Sequence, residues 1–121
     1  MSKLYNNFIA GDWISGTSTI PNINPSDTND DIGQYAQASN SQLDDALSSA
    51  QFAQKKWAST GLEQKQAVLM KIGEEMMARS AELGELLSRE EGKPLAEGKG
   101  EVFRAGQFFT YYAAEVLRQS G

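Results

Sequence analysis

The chain has 121 residues, a formal net charge of −5, 40% hydrophobic and 22% charged residues. That length allows one domain at most, and the acidic balance argues against a nucleic-acid partner, because phosphate binding needs a basic face. Cys and His are both absent, which removes the thiol nucleophile, the thiolate metal ligand and the commonest general base. A domain of this size buries roughly two-thirds of its unfolded surface. No apolar run approaches the ~20 residues of a membrane span, and Met1-Ser2-Lys3-Leu4-Tyr5-Asn6-Asn7 lacks the apolar core of a signal peptide. Without cysteines there is no disulfide framework for secretion. The expectation is a cytoplasmic protein with no membrane partner.

Residues 5–14 predict a β-hairpin: Phe8-Ile9 and Trp13-Ile14 flank Ala10-Gly11-Asp12, with Gly-Asp as the turn. Residues 15–19 read as loop. Ile20-Pro21-Asn22-Ile23-Asn24-Pro25 reads as extended, since each Pro biases its predecessor toward β or polyproline geometry. Residues 26–31 form a polar turn cluster, and residues 32–38 a strand.

Four helices follow. Leu43, Ala46, Leu47, Ala50, Ala53 and Trp57 recur at helical spacing behind Asn40 or Ser41 as N-cap, and Gly61 ends that helix. Thr60 and Glu63 have capping-box spacing ahead of a second helix with Val68, Leu69, Ile72 and Met76 on one side. This helix yields near Arg79-Ser80. Ser80 is the expected cap of a third, carrying Leu83, Leu86 and Leu87. Gly92 stands where a helix C′ residue belongs and Pro94 follows it, a strong stop. The fourth helix runs from about Ala96 to Arg118, with Val102, Ala105, Phe109, Tyr112, Ala113 and Val116 as its expected stripe. Gly98, Gly100 and Gly106 each cost ~1 kcal/mol there relative to Ala. Close backbone approach or an irregular first turn would account for them. Trp13 and Trp57 read as core anchors.

The candidate chemistry is sparse. Glu90 and Glu91 end the third helix, where a negative charge opposes the helix dipole, so one of them wants a cationic partner. Gly98-Lys99-Gly100 lacks the preceding strand and the spacing of a phosphate loop, and no Gly-x-Gly-x-x-Gly occurs anywhere. Phe103, Phe108, Phe109, Tyr111 and Tyr112 exceed one helical stripe, which implies a second packing surface or a tunnel wall. Among them, Arg104 is either a snorkelling surface residue or a guanidinium aimed at a substrate carboxylate.

The order of these features resembles the N-terminal segment of the NAD(P)-dependent aldehyde dehydrogenases over nearly the whole chain. The resemblance rests on residues 5–13, Asn24-Pro25-Ser26-Asp27-Thr28, the Ala-x-x-x-Trp end of the first helix and Glu90-Glu91-Gly92-Lys93-Pro94. It implies an α/β fold: a short hairpin and strand over residues 1–38, about four helices over 39–121, and together the N-terminal part of an incomplete Rossmann-like, cofactor-binding domain. It implies a full-length homo-oligomer that oxidises an aldehyde to a carboxylic acid with NAD or NADP through a cysteine thioester. The catalytic Cys and the glycine-rich cofactor segment are not in this sequence, so the expected catalytic and cofactor-binding residues here are none, and the chain alone is expected to be inactive. Thr28 and Glu90 match positions that help hold a structural monovalent cation in some members. Gly100, Arg104 and Phe108 fall on the helix lining the family's substrate entrance. Residues 97–106 most resemble members acting on α-ketoglutarate semialdehyde or succinate semialdehyde. The alternative is a non-catalytic interaction module that uses its aromatic C-terminal helix.

Overall fold

The computed structural model describes residues 3–118. The chain divides into two compact units, residues 1–59 and 60–121.

In the first unit, β2 (Asn7–Ile9) and β3 (Asp12–Ile14), preceded by β1 (Leu4–Tyr5), form an antiparallel hairpin in which Ile9 pairs with Asp12. The turn is therefore Ala10-Gly11, one residue before the expected Gly-Asp. Both turn residues have positive φ, 55° and 98°, as a two-residue type I′ turn requires. Phe8 and Trp13 pair across this hairpin with ring centroids 5.0 Å apart.

A separate three-stranded sheet has the order β1-β5-β4, with β4 (Ser18–Ile23) and β5 (Asp31–Gln37). The expected loop at 15–19 thus gives its last two residues to β4. Pro21 is accommodated because β4 is an edge strand. The strand expected at 32–38 is β5, antiparallel to β4 and parallel to β1. Being central, β5 carries the buried Ile32. Asn24 organises the connecting turn: its backbone N–H donates to the Asp30 carbonyl (3.1 Å), and its side-chain oxygen accepts from the Ser26 amide (2.9 Å).

α1 (Asn40–Ala58) starts one residue earlier than expected. Its N-cap is Ser39, whose hydroxyl accepts from the Gln42 amide (3.1 Å) while the Gln42 side chain accepts from the Ser39 amide (3.0 Å). Gln42 also donates to the Ser15 carbonyl at 2.7 Å, tying the helix start to the loop before β4. The helix ends at Ala58 with Ser59 as C-cap, ahead of Gly61, and none of its residues is buried. Trp13 and Trp57 are 69% and 48% exposed, so neither is the core anchor expected of it.

The second unit is helical. α2 (Leu62–Ala78) takes Gly61 as its N-cap, one residue after the Thr60 expected there. α3 (Ser80–Glu91) is capped by Arg79, and Ser80 lies inside the helix. Arg79 instead grips Glu82 through two hydrogen bonds of 3.0 and 2.8 Å. Gly92 ends α3 in the left-handed conformation (φ 71°), with its N–H on the Ser88 carbonyl at 2.8 Å, as the Gly-Lys-Pro spacing predicts. Pro94 then serves as the N-cap of α4 (Leu95–Val116), its carbonyl accepting from Glu97 and Gly98.

α4 packs against both α2 and α3. Its buried positions are Gly98, Val102, Gly106 and Ala113. The predicted stripe is rotated accordingly: Val102 and Ala113 are buried, whereas Tyr112 is 59% exposed. Two of the three unusual glycines explain themselves by close approach. A Cβ on Gly106 would stand 2.6 Å from Met77 Cγ and 2.8 Å from the Gly73 carbonyl oxygen, and one on Gly98 would collide with the Gly84 carbonyl oxygen. Gly100 faces open space. No helix among the described residues is long and apolar enough to cross a membrane.

Candidate functional site

The face of α4 that does not pack carries the sequence-predicted channel residues. At about 100° per residue, Gly100, Arg104, Phe108 and Tyr111 lie roughly half a turn from the buried glycine stripe. Phe108 is 54% exposed and Tyr111 and Tyr112 each 59%. Arg104, Gln107, Phe108, Tyr111 and Tyr112 line an open groove of about 290 Å³. The Arg104 guanidinium lies 5.5 Å from the centroid of the Phe108 ring, one turn further along, within reach of the ring's negative face. Tyr111 and Tyr112 meet edge to face at 5.3 Å. Arg104 makes no ion pair among the described residues. The aromatics divide as their number requires: Phe109 is half-buried and Phe103, Phe108, Tyr111 and Tyr112 point outward.

The turn between α3 and α4 holds a separate cluster of charges. Lys93 Nζ sits 2.6 Å from Glu91 and donates to both carboxylate oxygens of Glu101, at 2.8 and 2.7 Å. Its side chain is only 17% exposed. Hydrogen bonds to Glu101 and then to Glu91 raise the Lys93 pKa above its ordinary 10.5. The Ser88 hydroxyl closes the turn on the Lys93 carbonyl. The dipole conflict at the end of α3 is thus answered within the chain: Glu91 has its cation in Lys93. Glu91 and Glu101 are separated from Lys93 by two and by eight residues across a helix stop. Helical spacing gives no hint of that second pairing. Gln107 carried no chemical signal of its own either.

Thr28 is exposed in the turn before β5, in the first unit, and Glu90 is half-buried at the end of α3, in the second. No group of three or more Asp and Glu among the described residues forms a metal cluster. The structure therefore brings Gly100, Arg104 and Phe108 onto one face of α4.

Comparison with known proteins places this geometry. The profile of the Aldehyde dehydrogenase family matches residues 13–121. The chain is 35% identical over 120 residues to the alpha-ketoglutaric semialdehyde dehydrogenase of Bacillus subtilis, covering 97% of this chain and 24% of that protein. Among solved structures, aldehyde dehydrogenase 21 of Physcomitrella patens, in complex with its reaction product succinate, superposes with a TM-score of 0.91 at 33% identity, over 100% of this chain and 25% of that one. An NAD-dependent benzaldehyde dehydrogenase of Corynebacterium glutamicum gives a TM-score of 0.86 at 30% identity, over 93% of this chain and 25% of that one. The chain thus spans about a quarter of the length of the relatives it matches. The hairpin, the mixed sheet and the four helices are the N-terminal part of their fold, and the chain belongs to the aldehyde dehydrogenase family.

Proposed function

We propose that this chain is the N-terminal segment of the cofactor-binding domain of an NAD(P)-dependent aldehyde dehydrogenase that oxidises an acidic semialdehyde, and that Gly100, Arg104 and Phe108 line the substrate's approach. The observation that carries the substrate class is Arg104, a guanidinium with no ion pair among the described residues, propped over Phe108 in an apolar groove. A planar fork of donors in apolar surroundings suits a carboxylate, which it can take with two parallel hydrogen bonds. Similarity to an alpha-ketoglutaric semialdehyde dehydrogenase, and to a structure holding succinate, supports the same class. The non-catalytic module is the weaker reading, because the match runs through the whole helical unit.

The segment's part in the reaction is binding and orientation. It holds no Cys and no His, so thiolate attack on the aldehyde must come from residues outside this sequence. β5 passes into α1 through Ala38-Ser39 with no glycine turn, so that junction lacks the glycine-rich dinucleotide fingerprint. Gly100 leaves the space beside Arg104 open. In the same reading the whole enzyme is a cytoplasmic homo-oligomer, and Thr28 and Glu90 contribute to a structural monovalent cation site.

Replacing Arg104 by Ala in the complete enzyme tests the carboxylate role. A charge-assisted hydrogen-bonding partner contributes about 1.5–3 kcal/mol, or roughly 10- to 100-fold. We expect KM for succinate semialdehyde to rise by that factor and KM for butanal to change little. Equal effects on the two aldehydes would refute the role.

A further inference from the structure

Arg104 has an acid one turn away on its own helix, yet it makes no ion pair among the described residues. In a helix its side-chain neighbours are the positions three and four residues away. On α4 those are Gly100, Glu101, Gln107 and Phe108. Glu101 is the one acid of the four, and Glu–Arg at i,i+3 is a pairing that helices favour. The pair Glu115–Arg118 of this same unit shows it made at 3.1 Å. Glu101 makes no such bond. Both of its oxygens are taken by Lys93, which reaches back from the α3–α4 turn at 2.8 and 2.7 Å.

Lys93 is well placed to hold that pairing. Its backbone is fixed by the left-handed Gly92 before it, by Pro94 after it and by the Ser88 hydroxyl on its carbonyl. Its stem is largely covered, and Glu91 holds the ammonium from the other side at 2.6 Å. A lysine so constrained loses little further freedom in binding Glu101. Phe108 meanwhile draws the Arg104 guanidinium the opposite way, toward the C-terminal end of α4.

We infer that Lys93 is a specificity-determining positioning residue: by engaging both oxygens of Glu101 it keeps that carboxylate off Arg104 and leaves the guanidinium free for a substrate carboxylate. The inference rests on the carboxylate reading of Arg104 given above. It adds that the Gly-Lys-Pro turn sets the charge of the groove as well as stopping a helix. Without Lys93, Glu101 competes with the substrate for Arg104 and also repels it.

The test compares K93M, K93R and the double variant K93M/E101Q in the complete enzyme, with Arg104→Ala alongside. An exposed i,i+3 pair is worth about 0.2–0.5 kcal/mol, so competition alone raises KM by about twofold, and the uncovered Glu101 charge adds to it. We expect K93M to raise KM for succinate semialdehyde two- to fourfold at unchanged kcat, with KM for butanal unmoved. K93R should stay near wild type, and K93M/E101Q should return KM to the wild-type value. A crystal structure of K93M should show Glu101 within about 4 Å of Arg104. A loss shared by both aldehydes and not repaired by E101Q means that Lys93 only supports the turn, and overturns the inference. So does a K93M structure in which Glu101 stays away from Arg104. A K93M structure with the new pair formed, beside an Arg104→Ala enzyme of unchanged KM, instead refutes the carboxylate reading while the charge separation by Lys93 stands.

Discussion

The three glycines of α4 carry the same residue type for different physical reasons. Each gives up roughly 1 kcal/mol of helix propensity relative to Ala. At Gly98 and Gly106 that loss is offset by contact between helices, since a methyl group would strike the Gly84 carbonyl in one case and Met77 with the Gly73 carbonyl in the other. At Gly100 nothing lies within 4 Å of the added carbon. The expected outcomes therefore have opposite signs. Gly98→Ala should destabilise by about 1–3 kcal/mol, the range of overpacking in a region that cannot relax, because backbone is what the methyl meets. Gly100→Ala should stabilise by up to about 1 kcal/mol. Urea denaturation of both variants checks this, and a destabilised Gly100→Ala would show that its space is filled. Sequence alone marked all three positions as unusual. It could not separate them, because their difference lies in which helix approaches from outside.

At the scale of elements, legibility followed how local the determining interaction was. Gly92 and Pro94 were readable because a left-handed residue and a proline act on their own backbone, and the α3–α4 break falls where they place it. Helix starts were less readable, since several capping patterns compete within a few residues. Ser39-x-x-Gln42 and Thr60-x-x-Glu63 have the same spacing, yet the first sits at an N-cap and forms a capping box, whereas the N-cap of α2 is Gly61. The first is reinforced from elsewhere, for Gln42 also reaches the Ser15 carbonyl. β1 was missed because a two-residue strand has no periodicity to detect and exists only through β5. Substituting Ser39 by Ala should cost about 1 kcal/mol of stability in the first unit. Ser39→Asp, which keeps an accepting side-chain oxygen at the cap, should shift stability by less than about 0.5 kcal/mol. Thermal melts of the two variants distinguish them, and equal losses would refute the capping assignment.

At the scale of the whole molecule, the helical periodicities marked apolar stripes, but the buried face of α4 is rotated from its stripe and the stripe of α1 is uncovered. α1 presents Leu43, Leu47 and Trp57 at 54%, 61% and 48% exposure, and Phe52 on another side at 84%. Among the described residues, the buried hydrophobic side chains are Val102 and Ala113 in the second unit and Ile32 in the first. No large side chain among the described residues is fully buried. Hydrophobic burial supplies about 25 cal/mol per Å², so units that bury small residues and leave Leu, Phe and Trp in water have little surplus over chain entropy. In the second unit the helices meet instead at close glycine contacts. The 121-residue chain by itself should therefore show helical far-ultraviolet dichroism with a broad, weakly cooperative melt, and should bind the dye ANS as exposed apolar surface does. With no Cys and no His it should reduce neither NAD nor NADP in the presence of succinate semialdehyde. These two expectations are independent. A sharp melt without ANS binding would mean that the apolar faces close on one another in solution. Measurable turnover would mean that Asp, Glu, Lys, Ser, Thr or Tyr of this segment carries chemistry that the groove at Arg104 does not account for.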